Sequence, residues 1–258
     1  MTTVQRAGWF VFTLCVVVFL IAPLLLLVLF SFGENRLTTF PMGGLTLSWY
    51  EKVIDWSSFW SAFENSAWVS GSVGAVSTIT GTLFALFLLR MRARWAVPML
   101  IAFSFPLMIP PLVIGFALLS SYTQVGFDLG LLSVIFAHLV ITQPFVILVV
   151  YTRLLGFDFA MVDAARDCGA RPVRIFFTVI LPQIRNSVIG AALIAAALSL
   201  DDFIITFFTI GGGNTLSTLI WGMLRTTIDP GINVVGTFII LLTVGMTLVA
   251  LWVTRYRG

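Results

Sequence analysis

Charge is scarce in this chain. Of 258 residues, 10% are Asp, Glu, Lys or Arg and 59% are apolar, and the mean hydropathy is +1.07. Soluble domains carry about 25% charged residues, so the polar side chains here could not cover a globule in water. There is a single lysine, Lys52, and no G-x-x-x-x-G-K-[ST] around it. That excludes a phosphate-binding P-loop, because its lysine must reach the phosphates. The glycine run Gly211-Gly212-Gly213 leads into Asn214 and reads as a flexible turn between apolar segments, near an outer gate. The two cysteines, Cys15 and Cys168, stand in an apolar run and a loop, which excludes a disulfide framework. One histidine, His138, cannot build a paired-histidine metal site. The net charge of +3 and pI of about 9.2 come from arginines dispersed in short loops rather than clustered on a solvated face, so a nucleic-acid partner is not indicated. No cofactor is expected on this chain.

What is present is a succession of long apolar runs. A helix needs about 20 mostly apolar residues to cross the hydrocarbon core, and six segments qualify: 9–32, 66–89, 97–121, 130–151, 187–210 and 233–253. Runs of this length satisfy their backbone in lipid only as helices, and the alternation of a β-barrel is absent. The chain reads as one all-α transmembrane domain, residues 1–258, a bundle of six helices. The run from Trp9 to Phe32 exceeds the ~7–15 residues of a signal-peptide core and has no A-x-A-like site after it, so it is expected to stay as the first helix. Arg6, Arg90, Arg92, Arg94, Arg153, Arg166, Arg171, Arg174, Arg185, Arg255 and Arg257 fall in one set of loops, and Arg36, Lys52 and Arg225 in the other. Eleven against three places both termini in the cytoplasm. The outer segment 33–65 contains "SWYEKVIDW", read as a short surface helix. Trp49, Trp56, Trp60 and Trp68 cluster around it, as interfacial aromatics do.

Several spans carry marks of function or packing. Ser66, Ser70, Gly74, Thr78 and Thr82 recur every four residues and so share one helical face, where a second backbone can approach; close packing and pore lining are both open. Pro106, Pro110 and Pro111 interrupt the third span, as a kink or as a broken helix lining a pathway. Asp201 and Asp202 stand inside the fifth run, where each charge costs roughly 2.5–3.5 kcal/mol at a span centre. Adjacent residues point about 100° apart on a helix, so the two carry different jobs. One faces a water-filled path for a cation and the other bonds to a neighbouring helix, or both hold the bundle. Phe203 and Thr206 join them as candidate path or gate residues. His138 reads as an interhelical hydrogen-bonding group. Ser120, Ser133 and His138 supply residue types for a hydrolase, but no nucleophile elbow accompanies them.

Between the fourth and fifth spans lies "DAARDCGARPVRIFFTVILP", Asp163 to Pro182. Asp158 is placed to cap a short helix, Gly169 to end it with positive φ, and Pro172 to open a second one. Val173, Phe176, Phe177 and Ile180 follow at helical spacing as an apolar face. Pro182 is expected to break that helix before the next span. Its residues match a pattern: Asp163-Ala164-Ala165, three residues, Gly169, nine residues, Val179, one residue, Leu181-Pro182. The stretch resembles the EAA loop of ABC-importer permeases, with Asp163 for the first Glu and Val179 for Ile. "GLTLSWYEKV", "YTRLLGFD", "LSLDDFIITFF" and "IDPGINVVGT" are similar to pieces of the spermidine/putrescine branch of that family.

The resemblance implies a MetI-like type I importer fold in a bacterial inner membrane. It also implies a second permease subunit, two ATPase subunits that bind ATP and Mg, and an extracytoplasmic solute-binding protein. Residues 156–185 would be the coupling loop, held by one ATPase. The function so implied is that of a permease for polyamines, working by alternating access. A permease for another small solute, or a proton-coupled carrier using Asp201 or Asp202, are the alternatives.

Overall fold

The computed structural model describes residues 3–36, 39–226 and 229–255. Twelve α-helices occupy them: α1 (Thr3–Phe30), α2 (Ser48–Ile54), α3 (Ser57–Arg90), α4 (Ala93–Ser104), α5 (Pro111–Val125), α6 (Leu131–Leu155), α7 (Ala160–Asp167), α8 (Pro172–Ile175), α9 (Leu181–Asp201), α10 (Ile204–Thr209), α11 (Leu216–Thr226) and α12 (Gly231–Arg255). Arg257 and its neighbours at the C-terminus lie outside the described residues. Five segments are long and apolar enough to cross a membrane without interruption: Gly8–Phe30, Ser57–Arg90, Leu131–Leu155, Pro172–Asp201 and Gly231–Thr254.

The third expected span, 97–121, is not a single rod. It is a helix pair, Ala93–Met108 and Pro111–Val125, bent by 97°. The cause is local. Ile109 and Pro110 each precede a proline, which disfavours helical ψ; their ψ angles are 132° and 134°. Pro110 and Pro111 also remove two successive amide donors, and α5 restarts with Pro111 in its first turn, where no donor is needed. The fifth expected span, 187–210, differs at both ends. It begins earlier, because Pro182 does not break the helix. Residues 176–180 form one π-helical turn, in which the Leu181 amide reaches back to Phe176 O, and the wider turn accommodates a residue that has no amide hydrogen to donate. It also ends early, at Asp201, and α10 follows as a separate short helix.

Contacts divide the chain into two compact units. One holds the residues up to Trp60 with Leu219–Leu241; the other holds Ser61–Thr218 with the chain from Leu242 onward. In the first, the expected surface helix is α2. Trp49 on it is buried rather than interfacial, and its indole donates to Gly33 O at 3.0 Å. Tyr50 stacks on Phe32 and shares a 2.7 Å hydrogen bond with Ser31.

The second unit is built around α6 and α9. Val146, Val150 and Leu154 pack on Ile184, Ala191 and Ala195, with Ala85 of α3 completing the cluster. Lipid is as apolar as these side chains, so close backbone approach rather than hydrophobic transfer holds such helices together. The small-residue stripe of α3 supplies that approach. A Cβ on Gly74 would stand 3.1 Å from Ala192 O, and outside the stripe one on Gly81 would stand 2.8 Å from Val146 Cγ1. Ser66 serves a different purpose, accepting the Leu216 amide at 2.8 Å.

Candidate functional site

The break between α9 and α10 assembles a polar cluster inside an apolar surrounding. Asp202 leaves helical geometry with φ −70° and ψ 117°. Its Oδ2 accepts the amides of Ile205 at 3.0 Å and Thr206 at 3.1 Å, two of the donors that a helix N-terminus leaves without partners. Its own carbonyl accepts the hydroxyls of Thr206 at 2.9 Å and Ser217 at 3.0 Å. The broken backbone therefore finds partners among hydroxyls, as irregular structure at membrane depth requires.

His138, on α6, is fully buried against this break. Its Nδ1 is 2.7 Å from Ser199 Oγ, and its Nε2 is 2.9 Å from Thr206 Oγ1 and 3.3 Å from Asp202 Oδ2. The Thr206 hydroxyl already gives its hydrogen to the Asp202 carbonyl, so toward His138 it acts as acceptor. Behind the ring, Thr142 donates to the His138 carbonyl at 2.9 Å and shares a 2.7 Å bond with Ser77 of α3. One histidine thereby joins α6, α9 and α10.

Asp201, one residue earlier, ends α9 with its side chain exposed. Phe203 follows the break with its ring 5.6 Å from that of Phe207. Of the four path candidates, Asp202 and Thr206 are drawn together around His138, and Asp201 points elsewhere. Ser199 and Ser217 are partners that sequence reading missed, because a serine in an apolar run carries no signal of what it will face. The serines considered beside His138 are not its partners: Ser133 Oγ instead joins the Gly130 backbone and donates to Thr209 O at 2.7 Å. Gly211, read as part of a flexible turn, is exposed but lies against Leu129. It has φ +67°, and a Cβ there would lie 2.9 Å from Leu129 Cβ. Among the described residues no three His, Cys, Asp or Glu side chains converge on a metal position.

The second candidate is the segment from Asp158 to Pro182. Asp158 Oδ1 accepts the Ala160 amide at 3.0 Å and opens α7. Gly169 closes it with φ +76°. The Ala170 amide bonds Ala165 O at 3.0 Å and the Gly169 amide bonds Arg166 O at 2.8 Å, the paired closure of a Schellman turn. Asp163 is exposed and pairs with Arg166 at 3.0 Å, one turn along α7; such surface pairs contribute little to stability. Ala164 is exposed and Ala165 half-buried, and Val162 is the residue of α7 that is buried. Beyond the turn, Ile175 is the buried residue. Val173 and Phe177, expected on one apolar face, are 69% and 60% exposed. Val179 lies in the π turn, and Leu181 and Pro182 open α9. The segment is thus two short helices on a glycine hinge, rooted in a continuous helix that runs to Asp201.

A family model described as "Binding-protein-dependent transport system inner membrane component" matches residues 77–257. The chain is 32% identical over 246 residues to the putrescine transport system permease protein PotI of Escherichia coli K12, covering 92% of this chain and 87% of that protein. It is 29% identical over 245 residues to the spermidine/putrescine transport system permease protein PotC of Haemophilus influenzae, covering 95% of each. Among solved structures it is similar to a chain of a bacterial alginate ABC transporter in complex with an alginate-pentasaccharide-bound periplasmic protein. There the TM-score is 0.71 at 15% identity, over 98% of this chain and 94% of the other.

Proposed function

The chain belongs to the family of binding-protein-dependent transport system inner-membrane components, and on that premise we propose that its cargo is a polyamine, putrescine or spermidine. As a member of that family it is the permease subunit of an ATP-driven importer, a multi-pass membrane protein of MetI-like fold. It is not an enzyme; ATP hydrolysis lies in separate partner subunits. The observation that carries the cargo reading is whole-length similarity to polyamine permeases, 29–32% identical over more than nine-tenths of this chain. The geometry agrees chemically. A polyammonium cation needs carboxylate contact, and at the α9–α10 break one carboxylate, Asp201, is exposed while its neighbour is committed to amides. Asp201, with Phe203 beside it, is the contact on the path. Asp202 and Thr206 hold the break in shape through His138.

The coupling element is the α7–Gly169–α8 unit, with both termini of the chain on its side of the membrane. Asp163, Ala164 and Ala165 present a small, acidic face to one of two ATPase subunits. Gly169 sets the angle, and Val179, Leu181 and Pro182 lead into α9. Because α8, the π turn and α9 run without a break from Pro172 to Asp201, movement of the docked unit is delivered to the α9–α10 break, a contiguous element of the kind coupling requires. ATP and Mg bind in those partners, a second permease subunit completes the pathway, and a solute-binding protein delivers cargo from the opposite face.

The test is uptake by proteoliposomes holding the full chain with its second permease, ATPases and binding protein. ATP-dependent uptake of labelled putrescine or spermidine is expected. Uptake of an anionic or neutral solute, unaffected by either polyamine, overturns the cargo reading and leaves family membership intact. Uptake of any solute by the chain alone, driven by a proton gradient, overturns the coupling reading.

A further inference from the structure

An apolar groove of about 480 Å³ runs between the last turns of α3 and the α8–π-turn segment. Leu83 and Phe87 of α3 line it together with Val173, Phe177 and Ile180, and Arg90 is also among its lining residues. Leu83, Phe87, Val173 and Phe177 are each more than half exposed, so the groove is open to the surroundings of the bundle.

Three observations identify its occupant. The first is depth. Arg90 is the final residue of α3, a 34-residue membrane-length helix, and Arg92 and Arg94 follow at once, both exposed. The groove therefore stands where hydrocarbon gives way to headgroups. The second is wall chemistry. Aliphatic and aromatic side chains offer nothing to a water-soluble solute, and they match a hydrocarbon chain. The third is charge. Arg90 makes no ion pair among the described residues, and Arg174 of α8 adds an exposed cation to the same segment. A guanidinium presents a planar fork of donors that fits phosphate oxygens, and basic pockets at the ends of membrane helices attract anionic lipid headgroups.

We propose that this groove binds one anionic phospholipid, with an acyl chain against Leu83, Phe87, Val173 and Phe177 and the phosphate on Arg90. The site joins the end of α3 to the segment assigned to coupling, so a bound lipid would brace that segment from the membrane side. It depends on the membrane placement of α3 and not on the identity of the cargo.

The test is native mass spectrometry of the full chain, purified with its partner subunits in mild detergent. The probe is an equimolar mixture of phosphatidylglycerol and phosphatidylcholine of matched chain length. Wild type is expected to retain phosphatidylglycerol in preference, and Arg90→Gln to lower that preference about fivefold. Arg90→Lys should keep part of it, and Arg92→Gln, outside the groove lining, should leave it unchanged. Phe177→Trp, which fills the groove without altering charge, should lower retention of both lipids and serves where the Arg90 variant fails to assemble. Equal retention of the two lipids by wild type, an unchanged ratio in Arg90→Gln, or displacement of the lipid by inorganic phosphate alone would each overturn the proposal.

Discussion

Asp201 and Asp202 are neighbours in sequence and share no role in the structure. Asp202 gives its Oδ2 to the amides of Ile205 and Thr206 at 3.0 and 3.1 Å, whereas Asp201 exposes its carboxylate at the end of α9. Two carboxylates in an apolar run are expensive. Capping and hydrogen bonding offset the cost of one, and exposure at the end of α9 lowers the cost of the other.

The division predicts opposite phenotypes. Asp202→Ala removes a cap worth about 1–2 kcal/mol and takes a polar neighbour from His138. The melting temperature of the purified complex should fall, with Asp202→Asn partly restoring it because the amide oxygen can still accept. Asp201→Asn should leave the melting temperature unchanged and raise the half-saturation of polyamine uptake about fivefold, the scale of one exposed charge contact. Equal melting losses for both substitutions would contradict the assignment.

His138 predicts a stability effect without chemistry. His138→Ala strands the hydroxyl of Ser199 and leaves a void between α6 and α9. Losses of this kind sum to about 2–4 kcal/mol, measured by thermal unfolding of the assembled complex. His138→Gln, which can meet one of the two hydroxyls, should lose less.

Gly169 separates backbone strain from crowding. A Cβ there meets nothing within 4 Å, yet φ is +76°. Gly169→Ala should therefore cost about 1–2 kcal/mol of left-handed strain, and Gly169→Asn less, because Asn tolerates that conformation. Gly169→Pro cannot adopt the angle and loses the amide bonded to Arg166 O. The inserted protein is expected to assemble while its ATPase partners no longer respond to loaded binding protein. Normal coupled hydrolysis in that variant would remove the proposed role of the hinge.

Gly81 tests close approach between α3 and α6. Gly81→Val drives a side chain into Val146 and should cost about 1–3 kcal/mol. Gly71→Val, where a Cβ meets nothing within 4 Å, should cost little by comparison. Thermal unfolding of the two variants side by side reads the difference.

Much of the architecture was legible because it is local. Long apolar runs foretold the membrane helices, Asp158 the start of α7, Gly169 its Schellman closure, and the double proline an interruption of the third span. The size of that interruption, 97°, was not legible, since prolines state where a helix loses donors and not which way its halves then pack. Pro182 misled for the same reason. It removes a donor, and a single π turn over 176–180 was enough to carry the helix past it.

By itself, then, the amino-acid order determined where the backbone could be helical, where it must turn, and that the chain must lie in a membrane, because each depends on neighbours within a few residues. Tertiary structure alone decided what His138 meets at the α9–α10 break. Its partners Ser199 and Thr206 lie 61 and 68 residues along the chain from that histidine. Only the packing of α6 on α9 and α10 brings them within reach of a hydrogen bond.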